Sequence, residues 1–394
     1  MISHTIGIEL TVKRKKIVNK IRLSKSSIGQ EEKDAALKVL DHEFLGMGAE
    51  VQNFENEIKA YIGTQKDVVC VNTGTSALHI ALSCLDIGVG DEVLVPSLTY
   101  VASYQAISAS GATPISVDVK EDTLFIDMED AKKRVTKNTK AIMPVHYASN
   151  SKEMPEINEF AKKHNLRVIE DAAHSFGCKR DGKTIGCDGD IICFSFDGIK
   201  NITSGEGGAV LSSDKAFIQR VKDARLLGVE KDTDKRYAKQ RSWDFDVKHQ
   251  GFRFHMSNIY AAIGSAQLKK IGTISKKRSD IAKCYVSFLK EIEGIEILDF
   301  DYENIVSHIF VIKAKNRDAL REHLLSNEIE CGIHYKPNHM LSMYKSDYKL
   351  EVTEKIYEEI LTLPCQADLT KEEQMRVIEV IKDFYNLHFQ KGGN

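Results

Sequence analysis

A chain of 394 residues is long enough to bury a large core and to divide into two domains. Its 42% hydrophobic and 28% charged residues leave a formal net charge of −2, which excludes the electrostatic pull of a nucleic-acid binder and fits an ordinary globular chain. No apolar run reaches the roughly 18 residues of a membrane helix, and the eight cysteines include no CxxC pair, so they read as reduced core residues rather than disulfides.

In chain order, MISHTIGIELTVKRKKIVNK places a basic cluster, Lys13 to Lys16, after a short mixed run, the reverse of a signal peptide. Residues 1–20 are expected to form an extension. EEKDAALKVLDHEFL (31–45) has apolar residues at helical spacing, and VQNFENEIKAYIG (51–63) repeats the pattern up to Gly63. DVVCV (67–71) reads as a buried strand, followed by a turn and helix in NTGTSALHIALSCLDIG (72–88). Strand, Thr-Gly-Thr-Ser, then helix leaves free amides and hydroxyls at a helix N-terminus, an anion-binding geometry. Ser and Thr also cap helices for structural reasons alone.

The alternation continues through DEVLVPS, YVASYQAISASG, TPISVDV, TKAIMPVHY, MPEINEFAKKHN and LRVIEDAAH, as strand, helix, strand, strand, helix and strand. Such units imply an α/β fold with a mostly parallel sheet covered by helices on both faces. IICFSF (191–196) and AVLSS (209–213) are two further strands, joined by a loop that holds Lys200. AFIQRVKDARLLG (216–228) reads as a helix, 229–250 as a charged surface loop, and FHMSNIYAAIGSAQLKKI (254–271) as a long helix of small residues. Beyond about 272 the elements are expected to shorten, with FVIKA a strand and ALREHLLSN a helix. The expected division is a large domain over 21–271 and a smaller C-terminal α/β domain over 272–394.

Ligands of such sheets collect at the carboxyl ends of strands. Thr75, Tyr100, His146, Asp171 and Ser195 all fall at or just beyond such ends. Lys200, between two buried strands, is poorly placed for a solvated charge. Desolvation disfavours its ammonium, the condition a lysine needs to attack a carbonyl. A lysine snorkelling from a hairpin is the plainer alternative. Asp171 closes a buried strand, where a carboxylate needs a cation or several donors, although a helix cap would serve as well. His174, Cys178 and Cys187 lack a second paired ligand motif, so no metal is expected. Asp171 for a ring nitrogen, Ser195 for a phosphate and Lys200 for an aldehyde together fit pyridoxal 5′-phosphate.

The blocks EDAAHSFG (170–177) and SFDGIKNITSGEGG (195–208) resemble the DegT-like nucleotide-sugar aminotransferases, pyridoxal-phosphate enzymes of fold type I. GQEEKDAALKVL, NTGTSALHIAL, GDEVLVPSLTYVAS and HMSNIYAAIGSAQL agree, so the resemblance runs from about residue 22 to 390. It implies that Lys200 carries the cofactor covalently and later shuttles a proton, while Asp171 pairs with the ring nitrogen. It places His174 near the ring, Tyr100 stacked on it, and Ser195, Thr75 and Ser76 on the phosphate. An amino acid, usually L-glutamate, would supply the amine to a nucleotide-linked 4-keto- or 3-keto-6-deoxy sugar in the cytoplasm. HYKPNHMLSMY (334–344) resembles the family's sugar-nucleotide loop and puts Tyr335 and His339, with His146, near substrate.

Some positions depart from the pattern. Arg253 stands where many members carry an Asn that reaches the phosphate from the neighbouring subunit, so a homodimer completed by Arg253 is expected. His255 stands where many carry Arg, and HYASN (146–150) lacks the Gly common after PVH. A sister dehydratase would carry histidine in place of Lys200, and a non-catalytic regulator would tolerate loss of Lys200 or Asp171. Both residues are present.

Overall fold

A computed structural model describes residues 19–241 and 243–389. The expected extension at 1–20 lies almost wholly outside the described residues. Two helices come first, α1 (Gln30–Asp41) and α2 (Ala49–Ile62), the second closed by Gly63 in the left-handed region. The main sheet then builds from β1 (Asp67–Val71), β2 (Glu92–Pro96), β3 (Thr113–Val117), β4 (Thr139–Ile142) and β5 (Arg167–Asp171). Helices α3 (Gly74–Cys84), α4 (Val101–Ala109), α5 (Met128–Arg134) and α6 (Met154–His164) connect these strands. A two-residue hairpin, β6 (Lys179–Arg180) and β7 (Lys183–Thr184), leads to β8 (Ile191–Ser195) and β9 (Gly208–Ser212).

The sheet order is β1-β9-β8-β5-β4-β2-β3; β9 runs antiparallel to both neighbours and the remaining pairs are parallel. Every residue of β8 and β9 is buried, as expected of strands covered on both faces. Alternate side chains of one strand enter different cores. Val69, Cys193 and Val210 pack with α3 and with α7 (Lys215–Ala224), while Cys70, Ile192, Phe194 and Leu211 pack with Phe54 and Ile58 of α2. This is the α/β architecture read from the sequence.

Past α7 the charged stretch 229–250 is not wholly loop. It contains α8 (Asp232–Tyr237), whose Asp232 and Thr233 are buried, before an exposed run. The helix read over 254–271 begins later, as α9 (Asn258–Lys269), with Ser257 capping it through Tyr260 N. Shorter elements were expected beyond 272. Instead α10 (Ile271–Leu289) has 19 residues, as does the final helix. The buried stripe of α10 is Ile271, Ile274, Arg278, Ile281, Ala282, Tyr285 and Leu289. An arginine in the middle of that stripe breaks the apolar period, which hid the helix. Of TKAIMPVHY only β4 is a continuous strand, although Met143 N still donates to Leu94 O, Pro144 O accepts from Asp171 N, and Val145 bridges Asp171 beyond it.

The remaining chain forms β10 (Ile295–Ile297), β11 (Phe310–Ala314), α11 (Arg317–Ser326), α12 (Glu351–Glu359), β12 (Ile360–Leu363) and α13 (Lys371–Phe389). The three strands make a separate antiparallel sheet. Its core joins Phe310, Ile312 and Leu361 to Leu320 of α11, Ile281 and Tyr285 of α10, and Ile378 and Ile381 of α13. Among the described residues no helix is long and apolar enough to cross a membrane.

Candidate active site

The site assembles where β1, β2, β5 and β8 end. At the close of β1, Thr73 caps α3 by accepting from Ser76 N at 2.9 Å. A Cβ added to Gly74 would lie 2.7 Å from Cβ and 2.9 Å from Oγ of Ser195, so glycine is what lets the first turn of α3 approach the end of β8. Thr75 is exposed at that turn. Amides at a helix start, with hydroxyls on either side, make a cradle for an anion.

Strands β5 and β8 lie side by side in register, Asp171 opposite Cys193, so both deliver their next residues to one cavity. That cavity, about 260 Å³, is lined by Thr75, Tyr100, Asp171, His174, Ser195 and Lys200 among others. Asp171 is 6% exposed; Ser103 donates to its Oδ2 at 2.7 Å, and Ala173 N to its Oδ1 at 3.2 Å. Two donors fix the carboxylate, and one edge of the cavity stays available to a further donor. Tyr100, 57% exposed, stands at the mouth with its ring 5.5 Å from that of Tyr335.

Lys200 lies in the connection from β8 to β9. Burial pushes its ammonium down to about 8; Asp171 and Asp197 pull the other way and Arg278 adds to the lowering. Its nearest polar partner is neutral: Nζ is 3.5 Å from His308 Nε2. The ring of His308 lies 4.3 Å from that of His174, tilted by 40°, and His174 Nε2 is 3.3 Å from the Tyr335 hydroxyl. Burial, then Lys200, holds His174 and His308 well below the ordinary imidazole range, and lowers His334 to about 4. The lysine is thus ringed by uncharged histidines at neutral pH.

Thr75, Tyr100, Asp171, His174, Ser195 and Lys200 are therefore brought together. Ser76 is not in the wall: its hydroxyl turns back to Thr73 Oγ1 at 2.8 Å. A substrate contact was expected at His146, but that ring is fully buried. Its Nε2 lies 3.0 Å from Glu170 Oε2 and its Nδ1 3.1 Å from Ser175 Oγ. His339 is 5% exposed and anchored 2.7 Å from Ser97 Oγ, so it holds the loop rather than facing the cavity. Arg253 is exposed, its backbone bridging Leu226, and it makes no ion pair among the described residues. Ser103, Asp197, Arg278 and His308 were missed. Ser103 was findable, three residues after Tyr100 on the same helix face; nothing in the sequence marks His308.

The sequence profile of the DegT/DnrJ/EryC1/StrS aminotransferase family matches residues 26–382. The chain belongs to that family. It is 36% identical over 364 residues to the GDP-perosamine synthase of Escherichia coli O157:H7, covering 91% of this chain and 97% of that one. It is 32% identical over 370 residues to the spore coat polysaccharide biosynthesis protein SpsC of Bacillus subtilis, covering 90% and 95%. Among solved structures, DesV of S. venezuelae superposes with a TM-score of 0.83 at 32% identity, covering 90% and 94% of the two chains. PseC of Helicobacter pylori, an aminotransferase involved in the biosynthesis of pseudoaminic acid, gives 0.85 at 26%, covering 93% and 100%.

The chain is a pyridoxal-phosphate-dependent sugar aminotransferase of this family. Its cavity suits the cofactor on its own terms. The space that a Cβ on Gly74 would fill stays open beside Ser195. Among the described residues no cation is bonded to the buried Asp171, and the buried His174 Nδ1 has no partner. One primary amine stands opposite, depressed toward its neutral form.

Proposed function

We propose that the enzyme moves an amino group from L-glutamate to a nucleotide-linked 4-keto- or 3-keto-6-deoxy sugar, in the cytoplasm, on the route to a cell-surface polysaccharide. The observation that carries the reading is the partly buried lysine, lowered to about 8, sharing a cavity with a hydrogen-bonded carboxylate in a family member 36% identical to a GDP-perosamine synthase. Pyridoxal phosphate supplies an electron sink for the carbon that gains or loses nitrogen. Ser195, Thr75 and the first amides of α3 would hold its phosphate. Asp171, steadied by Ser103, would keep the ring nitrogen protonated. Tyr100 and His174, the latter with the Tyr335 hydroxyl against it, would border the ring. Lys200 Nζ would be the amine that takes up the cofactor and, once free, would hold and return the proton that moves at the reacting carbon. Tyr335 belongs to the sugar's side of the pocket.

The functional unit in this reading is a homodimer, the exposed guanidinium of Arg253 reaching the partner's phosphate. A planar fork of donors would hold a phosphate more firmly than the amide many relatives carry. Mixing Arg253→Ala with Lys200→Ala then regains part of the activity, because some dimers have one intact site; no recovery with verified subunit exchange excludes the shared site. The substrate itself is tested by incubating the purified enzyme with glutamate and a panel of GDP-, UDP- and dTDP-linked keto sugars. An amino sugar and 2-oxoglutarate in equal amounts are expected with at least one of them. No amine formed on any nucleotide sugar, with glutamate or other amino acids, rejects the proposal.

A further inference from the structure

A second, small cavity of about 30 Å³ is lined by Ile199, the chain neighbour of Lys200, and by His308, whose Nε2 is 3.5 Å from Nζ. Ile199, Arg278, His308, His334, Thr362 and Gln366 are among its walls. Arg278 is 3% exposed and gives its terminal nitrogens only to carbonyls, those of Ile199, Ser307, His308 and Cys365. Among the described residues its buried Nε has no partner, and neither has Nδ1 of His308, itself 5% exposed. Two orphaned polar atoms on residues that line one cavity are expensive unless something bridges them. A space of this size holds one or two waters, since about 10–15 Å³ is enough for one.

We propose that His308 is a positioning residue for Lys200, and that a buried water shared with Arg278 fixes it in the tautomer that accepts from Nζ. With its proton on Nδ1, the imidazole donates to that water, which also accepts from Arg278 Nε and donates onward to Thr362 Oγ1 or Gln366. Nε2 is then left as an acceptor, 3.5 Å from Nζ. Arg278 reinforces the arrangement through the backbone, since it holds the carbonyls of both Ile199 and His308. The lysine's direction is set by a neutral group, which orients the amine without neutralising it. The inference rests on Lys200 being the reactive amine.

The test uses cofactor-free protein, pulsed with an acetylating reagent across a pH series, with the peptide containing Lys200 quantified by mass. Groups facing Lys200 are Asp171, Asp197, Arg278, His174, His308 and His334, and of these only His308 is altered. Wild type should show a midpoint near 8. His308→Leu should lower it by about one unit, because the ammonium loses an acceptor. His308→Gln, whose amide can accept and donate, should restore it, and His308→Asn replaces the leucine variant if that one does not fold. A crystal structure should show a water within about 3.2 Å of both Nδ1 and Nε. The proposal is overturned if the leucine and glutamine variants titrate like each other, or if the cavity is dry. A wild-type Lys200 with an ordinary lysine midpoint overturns both this inference and the reading of Lys200 beneath it, whereas the first two outcomes leave that reading intact.

Discussion

Two cations, the fully buried Arg225 and the partly buried Lys200, show how one sheet treats charge in opposite ways. Arg225 is fully buried, with Nη1 donating to Glu55 Oε1 at 2.6 Å and to Cys70 O at 2.7 Å, and Nη2 to the Tyr237 hydroxyl at 2.7 Å. Burial alone would lower its pKa, but Tyr237 and Glu55 outweigh that and hold the guanidinium above its usual range. Tyr237 in turn donates to Glu55, closing the network. Lys200 has no such network. Burial dominates, its hydrogen-bonding neighbour is an uncharged imidazole, and the amine falls to about 8. A charge that is paired with a carboxylate and bonded through both terminal nitrogens fastens the fold. A charge left without a bonded counter-ion beside a cavity is available for chemistry.

The largest expected effect comes from Lys200→Ala. Turnover falls at least roughly 10,000-fold, because the group that bonds the cofactor and moves the proton is gone. Thermal unfolding should show no loss of stability, since no ion-pair network is broken. Arg225→Met should behave in the reverse manner. It strands Glu55 as a buried carboxylate and costs about 3–5 kcal/mol in denaturant titration, while the folded fraction keeps its turnover per site. Equal damage to activity and stability in both variants would erase the distinction between the two cations.

Asp171→Asn comes next. A neutral partner no longer favours a protonated ring nitrogen, so turnover should fall roughly 100-fold with the melting temperature nearly unchanged. Retained turnover would move Asp171 to the structural class beside Glu55. The pH effect is smaller and its sign is fixed by the lysine. Only neutral Nζ can take up the cofactor, so reloading of cofactor-free enzyme should accelerate as pH rises through about 8 and level off above it. Between pH 7 and 9 the neutral fraction grows about tenfold. Reloading that slows over this range would mean that another group controls it.

Much of this was legible in the sequence because the main sheet is locally consistent. Apolar runs such as IICFS and GAVLS have one reading when both faces are covered, and strand ends collected Asp171, Ser195 and Lys200 at one edge. Legibility failed where tertiary contacts overrode the local pattern. Arg278 occupies a core position of α10 because backbone carbonyls from three segments converge on it. The charged stretch before residue 250 hid α8 because Tyr237 docks on Arg225, more than ten residues earlier. His146 sits at a strand end like the true wall residues, yet its side chain turns under the sheet toward Glu170. Residue position gives the edge of the sheet, and only packing gives the direction of the side chain.

The central claim is that Lys200, and no other lysine, is the reactive amine. Borohydride reduction of the loaded enzyme, followed by proteolysis and mass mapping, tests it most directly. The account predicts that the phosphopyridoxyl mass appears on the peptide spanning Lys200, at about one per chain, and disappears from Lys200→Ala. Stoichiometric label on a different lysine in the wild-type enzyme would contradict it.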